Sequence, residues 1–398
     1  MLYLFLLNRC SMNLFDNTEV AFALKTDSQL ERAYFLFKMI QNEPMVKIGS
    51  AVTNFALKVH LPVEGLIRST VFDHFCGGVT EEDCLPIIDN MYNNGNVHSV
   101  LDYSVEGKDQ EVSFDGALEK ILKIVNFCEE KQSIPYAVFK PSGFGRFALY
   151  QKISEGATLS SEEKAEWNRV EERYHKVCKA ALEKDVPLLI DAEESWMQKA
   201  ADELIEDLME IYNKEKAIVF NTLQMYRHDR LEYLKKLHAK AKQKDFYIGL
   251  KVVRGAYMEK ERERAEDKGY SSPICKDKET TDINYNKAIA YMMEHPKMAL
   301  FAGTHNEESS YLLIDLAKKY NIKNNDMRMW FGQLFGMSDH ISYNLANQGY
   351  NVAKYLPFGP VRDVMPYLIR RAEENTSVAG QTSRELNLLK TERKRRKL

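Results

Sequence analysis

The chain has 398 residues, of which 44 % are apolar and 28 % charged, and its net charge at pH 7 is −3. This is enough material for one large barrel or two ordinary domains. A balance so close to neutral gives no global basic field and argues against nonspecific nucleic-acid binding.

The opening Met1–Leu7 run is apolar but too short to cross a membrane, and neither basic residues before it nor a small-residue cleavage site after it mark a signal peptide. Because Met12 opens a polar stretch, the first eleven residues are expected to be a frayed extension or a translation-start artefact. Six cysteines (Cys10, Cys76, Cys84, Cys128, Cys178 and Cys275) lie far apart without a CxxC pair. That usage fits a reduced, cytoplasmic chain without a structural metal.

From Thr26 to Asn93 the patterns are helical, with Leu30, Tyr34, Phe37 and Gln41 on one stripe, and residues 1–95 read as an N-terminal helical arm. After Gly95 come eight short β-branched or aromatic runs, at 99–103, 136–140, 187–192, 217–224, 247–253, 298–304, 327–334 and 351–357. Helix signals separate them, such as Leu118, Ile121, Leu122 and Val125, or the Ser160-x-x-Glu163 capping box ahead of Trp167, Val170, Tyr174 and Val177. The predicted class is α/β, with residues 96–376 forming a (β/α)8 barrel of the usual size of about 250 residues.

A doubly wound open sheet shares this alternation. The barrel is favoured by chemistry at the ends of the runs: Asp102, Lys140, Asp191, Gln224, Lys251, Thr304 with His305, Gln333 and Tyr355. Closing the sheet brings all of these to one face, whereas an open sheet scatters them along an edge. Residues 377–398, ending in Arg393-Lys394-Arg395-Arg396-Lys397, are predicted to be a disordered basic tail, either a solubilising end without a partner or a segment attracted to anionic membrane surfaces.

Several segments carry chemistry. Gly143-Phe144-Gly145-Arg146-Phe147-Ala148 matches a dinucleotide fingerprint, but Ser142–Thr158 reads as a loop rather than the helix that such a cradle needs. Lys251 sits inside an apolar strand, where an ammonium is costly unless paired or used. It or Lys140 could serve an aldolase-type lyase as an amine nucleophile. Asp191 follows an apolar strand directly, while Glu193 and Glu194 suit the N-terminus of the next helix. Thr304-His305-Asn306 opens a helix whose amides suit a phosphate or ribityl oxygen. Tyr367, Arg370, Arg371 and Glu374 share one helix face, where two arginines beside a tyrosine can clamp a carboxylate; Asp363 is the expected cap.

Taken in order, Asp191-Ala192-Glu193-Glu194, Lys251-Val252-Val253-Arg254-Gly255-Ala256-Tyr257, Thr304-His305-Asn306, Gly332-Gln333-Leu334-Phe335-Gly336-Met337 and Tyr367-Leu368-Ile369-Arg370-Arg371 resemble the proline dehydrogenase family, from about Asn17 to Asn375. The resemblance implies a distorted barrel holding FAD with a C-terminal helix over its mouth. It also implies oxidation of L-proline to Δ1-pyrroline-5-carboxylate and passage of electrons to a membrane quinone, in a monofunctional enzyme that is cytoplasmic or peripheral on the inner membrane face.

By the same resemblance, Arg370 and Arg371 bind the proline carboxylate, Tyr355 and Leu334 pack around the ring, and Tyr367 closes the pocket. Asp191 and Lys251 stand at the reacting centre with Lys140 nearby. Ala192, Gln224, Lys251, Arg254, Gly255, Ala256, Tyr257, Thr304, His305 and Glu374 contact FAD, and Glu106 is the gate partner of the arginine pair. Lys251 replaces the arginine of many bacterial members, and Phe139-Lys140-Pro141-Ser142 departs from the family's usual Lys-Leu-Thr/Ser.

Overall fold

The computed structural model describes residues 14–41, 44, 65, 68–103, 109–377 and 379–398; the side chains of 69, 70 and 371–381 lie outside that description. The expectations for the first eleven residues and for Glu106 therefore fall outside the described residues.

Each of the eight runs forms a strand: β1 (His98–Tyr103), β2 (Tyr136–Phe139), β3 (Leu188–Ile190), β4 (Val219–Gln224), β5 (Ile248–Val253), β6 (Met298–Gly303), β7 (Met329–Leu334) and β8 (Val352–Phe358). They pair in sequence order into a closed barrel. Closure is made by β1 and β8, which run parallel over six positions from His98 opposite Ala353 to Tyr103 opposite Phe358. An open sheet is thereby excluded.

Alternation along each strand sorts the side chains. Leu250 and Val252 of β5 join the shell packed against the surrounding helices, whereas Tyr136, Phe220, Phe301, Trp330 and Tyr355 point inward and form a separate interior cluster. The Tyr136 ring meets Phe220, Phe301 and Trp330 edge to face at centroid distances of 5.6, 5.3 and 5.4 Å, a preferred geometry for aromatic quadrupoles. This plug fills the barrel interior and separates a cleft at the C-terminal ends of the strands from another at their N-terminal ends.

The helix signals hold in detail. Ser160 and Glu163 form their reciprocal capping box at the start of the helix Ser161–Glu183, and Thr26 with Gln29 does the same for Asp27–Ile40. Segment 142–158, expected as a loop, instead folds into a short turn and the helix Phe147–Ser154. Gly145 packs so closely that an added Cβ would lie 2.5 Å from Val170; no phosphate cradle opens there. The helix carrying the arginines starts at Val361 rather than after Asp363, because the Pro360 carbonyl accepts from both the Asp363 and Val364 amides.

The largest correction concerns the tail. Residues Ala379–Arg396 are helical, and Leu386, Leu388 and Leu389 are buried against Phe22, Leu30 and Phe37 of the N-terminal arm. The basic run is engaged there: Arg393 bonds Glu31 at 2.5 Å, while Arg396 reaches the Phe22 and Lys25 carbonyls, each at 2.7 Å, and Asp27 at 3.1 Å. A charge run taken alone resembles a solvated tail, and only the acidic and carbonyl partners contributed from some 370 residues away make it a packed one.

The candidate active site

Above the aromatic plug, the C-terminal ends of the strands surround a cleft of about 790 Å³. Its lining includes all of the chemically marked strand ends, Asp102, Lys140, Asp191, Gln224, Lys251, Thr304, His305, Gln333 and Tyr355. They converge because every strand of a closed parallel barrel ends on the same face.

Lys251 is 6 % exposed and forms an ion pair with Asp191. It also donates to the Tyr355 hydroxyl at 3.0 Å and lies 4.7 Å from the centre of that ring. The ammonium costly to bury on β5 is thus compensated from β3 and β8. A carboxylate and a phenol surround it, rather than the apolar walls that activate an amine nucleophile. A second pair, Lys140 with Asp102 at 3.0 Å, joins the ends of β2 and β1.

Arg254 works as a crosslink beneath the cleft wall. Its guanidinium donates to Asp282 at 2.6 Å, Thr304 at 2.7 Å and Ser309 at 2.9 Å, and stacks 4.4 Å from the Tyr285 ring. Gly255 beside it has φ +132, and a Cβ there would strike the Tyr226 ring at 2.5 Å, so only glycine permits this turn. Gly255 and Ala256 leave backbone exposed at the cleft.

His305 is held at both nitrogens. The Leu334 amide donates to Nε2 at 3.4 Å and Nδ1 lies 2.9 Å from Ser338 Oγ; since Nε2 accepts, Nδ1 carries the proton and donates. Asn306 caps the following helix by accepting from the Ser309 amide at 2.8 Å.

Glu193 does more than complement a helix dipole. Its carboxylate accepts from the Ser142 amide at 2.8 Å and hydroxyl at 2.6 Å, tying the loop after β2 to the loop after β3. Burial pushes its carboxyl up to about 7 against the pull of those bonds. Glu194 instead pairs with Lys260.

Among the described residues, the cleft lining holds six cationic side chains, Lys140, Lys251, Arg254, Lys278, Arg370 and Arg384, against three carboxylates, Asp102, Asp191 and Glu307. That surplus suits an anionic occupant. Gln224, 2 % exposed, spends its amide nitrogen on the Glu193 carbonyl at 2.9 Å, while its Oε1 is buried with no hydrogen-bond partner among the described residues; a buried acceptor of this kind calls for a donor from a ligand or water. A cleft of this volume with exposed backbone, surplus positive charge among its described residues and an unsatisfied amide oxygen fits a large anionic cofactor such as FAD.

The family model described as proline dehydrogenase matches residues 84–384. The chain belongs to the proline dehydrogenase family. It is 36 % identical over 335 residues to the carbapenem antibiotics biosynthesis protein CarD of Pectobacterium carotovorum subsp. carotovorum, covering 84 % of this chain and 86 % of that protein. Proline dehydrogenase 1, mitochondrial, of Arabidopsis thaliana is 30 % identical over 403 residues, with coverages of 89 % and 80 %. Among solved structures, proline utilization A from Bdellovibrio bacteriovorus inactivated by N-propargylglycine superposes with a TM-score of 0.67 at 20 % identity, which speaks to the fold alone. The match covers 92 % of this chain and 37 % of that one, so the chain spans little more than a third of the larger polypeptide. Proline oxidation, the first step of proline catabolism, is the activity of this family.

The cleft of this proline dehydrogenase family member also gathers Ala192, Tyr257, Leu334, Tyr367 and Arg370. Arg370 lies 5.9 Å from the centre of the Tyr257 ring. Arg371 and Glu374 lie on the same helix, Val361–Ser377, with side chains outside the described residues. Sequence reasoning assigned no role to Phe301, Lys278, Glu307, His340 or Arg384, which line the cleft as well. For Asp102, position at a strand end was a signal, though no role followed from it. Arg384 had none, because it sits in the segment read as a tail.

Proposed function

We propose that this family member oxidises L-proline to Δ1-pyrroline-5-carboxylate, with FAD seated in the cleft and a membrane quinone as the final electron acceptor. The observation that carries the reading is the convergence of all marked strand ends, with Arg370 and Tyr367, on one cleft of net positive lining. When bound, FAD would supply the hydride acceptor; the protein's task is then to bind, orient and exclude water.

In this reading Arg370, with Arg371 beside it in sequence, holds the substrate carboxylate by planar, charge-assisted bonds. Leu334 and Tyr355 shape the apolar space for the ring, and Tyr367 closes it. The Lys251–Asp191 pair, buttressed by the Tyr355 hydroxyl, fixes the positive charge beside the reacting centre. Gln224, Ala192, Arg254, Gly255, Ala256, Tyr257, Thr304, His305 and Glu374 would hold the cofactor, and Glu106 would face the arginines as a gate. Five described cysteines are free and buried, which supports a reducing cytoplasmic setting; use of a membrane quinone implies work at the inner membrane face.

The test is an absorption spectrum of the purified protein before and after anaerobic L-proline. The expected result is a flavin spectrum that proline bleaches. A colourless protein that does not take up FAD, or a bound flavin indifferent to proline, would overturn the reading.

A further inference from the structure

The helix Ala379–Arg396 reaches the cleft wall through a relay of buried bonds. Glu385 is 3 % exposed, and its two carboxylate oxygens accept from the Ser338 amide at 3.1 and 3.0 Å. Ser338 is wholly buried and adopts a left-handed conformation, φ 51 and ψ 41, at the N-cap of the helix Asp339–Asn347. A non-glycine residue in that region is strained and persists only where its surroundings fix it. The Ser338 hydroxyl makes no capping bond to its own helix. It meets His305 Nδ1 at 2.9 Å instead, and His305 Nε2 accepts in turn from Leu334 at the end of β7.

The order of dependence follows from the chemistry. Without Glu385 the Ser338 amide would be a buried donor lacking an acceptor, a situation costly enough to move the backbone. A shift of the Ser338 backbone carries the hydroxyl away from His305 and removes the bond that fixes the Nδ1 side of the imidazole. The neighbouring Arg384 makes a second attachment of the same helix, bonding Glu307 at 2.7 Å and Asp16 at 2.5 Å while lining the cleft.

We propose that Glu385 is a positioning residue for the cofactor site, acting through Ser338 on His305, so that the C-terminal helix is part of the binding machinery. This rests on the reading that FAD lies against His305.

The experiment is titration of the deflavinated full-length protein with FAD, followed by quenching of flavin fluorescence, for wild type, Glu385→Ala, Glu385→Gln, Ser338→Ala and the double alanine variant. Glu385→Ala and Ser338→Ala should each weaken FAD binding about tenfold, the worth of one well-placed hydrogen bond. Glu385→Gln keeps an acceptor for the Ser338 amide and should restore most of the affinity. The double variant should bind no worse than either single one, because without the hydroxyl there is nothing left for Glu385 to position.

Wild-type affinity in Glu385→Ala, or losses that multiply in the double variant, would overturn the proposal. Should Glu385→Ala fail to fold, Ser338→Ala carries the test alone: it leaves the backbone bonds to Glu385 intact, and undiminished FAD affinity there overturns the relay. Failure of the wild type itself to bind FAD is a separate result, which removes the proposed function and this inference together.

Discussion

At the scale of single residues, the paired charges under the cleft give sharp expectations. Asp191→Asn removes the negative charge paired with the Lys251 ammonium and leaves it neutral acceptors such as the Tyr355 hydroxyl. Removing one partner of a largely buried pair costs about 3 kcal/mol or more, so the variant should melt earlier and turn over proline more slowly. Adding Lys251→Met to it should recover stability but not turnover; a double variant that melts no higher than Asp191→Asn would show that the pair is not what is being broken. Arg370→Lys substitutes a point charge for a planar fork and should raise the KM for proline by at least about tenfold with little change in FAD content. Unchanged steady-state KM would remove Arg370 from carboxylate binding. Glu193 predicts a pH dependence. Its carboxyl is raised from 4.5 to about 7, so the folded state binds this proton more tightly than the unfolded chain does. The contribution is whole below the ordinary carboxyl range and is lost as pH rises to about 7, up to about 3 kcal/mol. Urea midpoints at pH 5 and 8 should fall for wild type across this window and fall less for Glu193→Gln.

At the scale of elements, the strands were legible because each is a short β-branched run bounded by helix signals, and β1 to β8 start and end within a few residues of expectation. The capping box at Ser160 was equally local, since both partners lie within one turn. Contacts between elements were not. Lys354 of β8 is completely buried and bonds Asp339 at 2.6 Å and the Met337 carbonyl at 2.6 Å, while Lys25 of the N-terminal arm reaches the other Asp339 oxygen at 2.9 Å. The two lysines hold the Asp339 carboxyl far below its usual range against the opposing effect of burial. Asp339→Asn should therefore cost about 3–5 kcal/mol and loosen the arm from the barrel. Chemical denaturation measures the first effect and limited proteolysis of the arm the second; neither change would assign the triad no part in docking the arm.

At the scale of the whole molecule, the two ends of the described chain close over each other. Arg393 and Arg396 bond the segment that holds Phe22, Lys25, Asp27 and Glu31, and the Arg393 guanidinium stacks 4.1 Å from the Tyr34 ring. Removal of Thr391–Leu398 should accordingly lower the melting temperature, and it should leave sedimentation with anionic vesicles unchanged, because Arg393, Arg395 and Arg396 are already paired with acidic groups of the protein. An unaltered melting curve would return the segment to the status of a loose tail.

The sequence by itself determined the barrel, the strand ends and the residue types at the mouth, because period, capping and strand-terminal chemistry are written over a few adjacent positions. It also carried the family resemblance, whose motifs are short and contiguous. Only the tertiary structure decided which charges pair across strands, why Glu193 holds its proton so tightly, and that a run of basic residues with the leucines before it is a packed helix touching the cleft. Those outcomes depend on partners tens to hundreds of residues away. A local pattern can show that a charge is costly to bury, but not which distant group will compensate it.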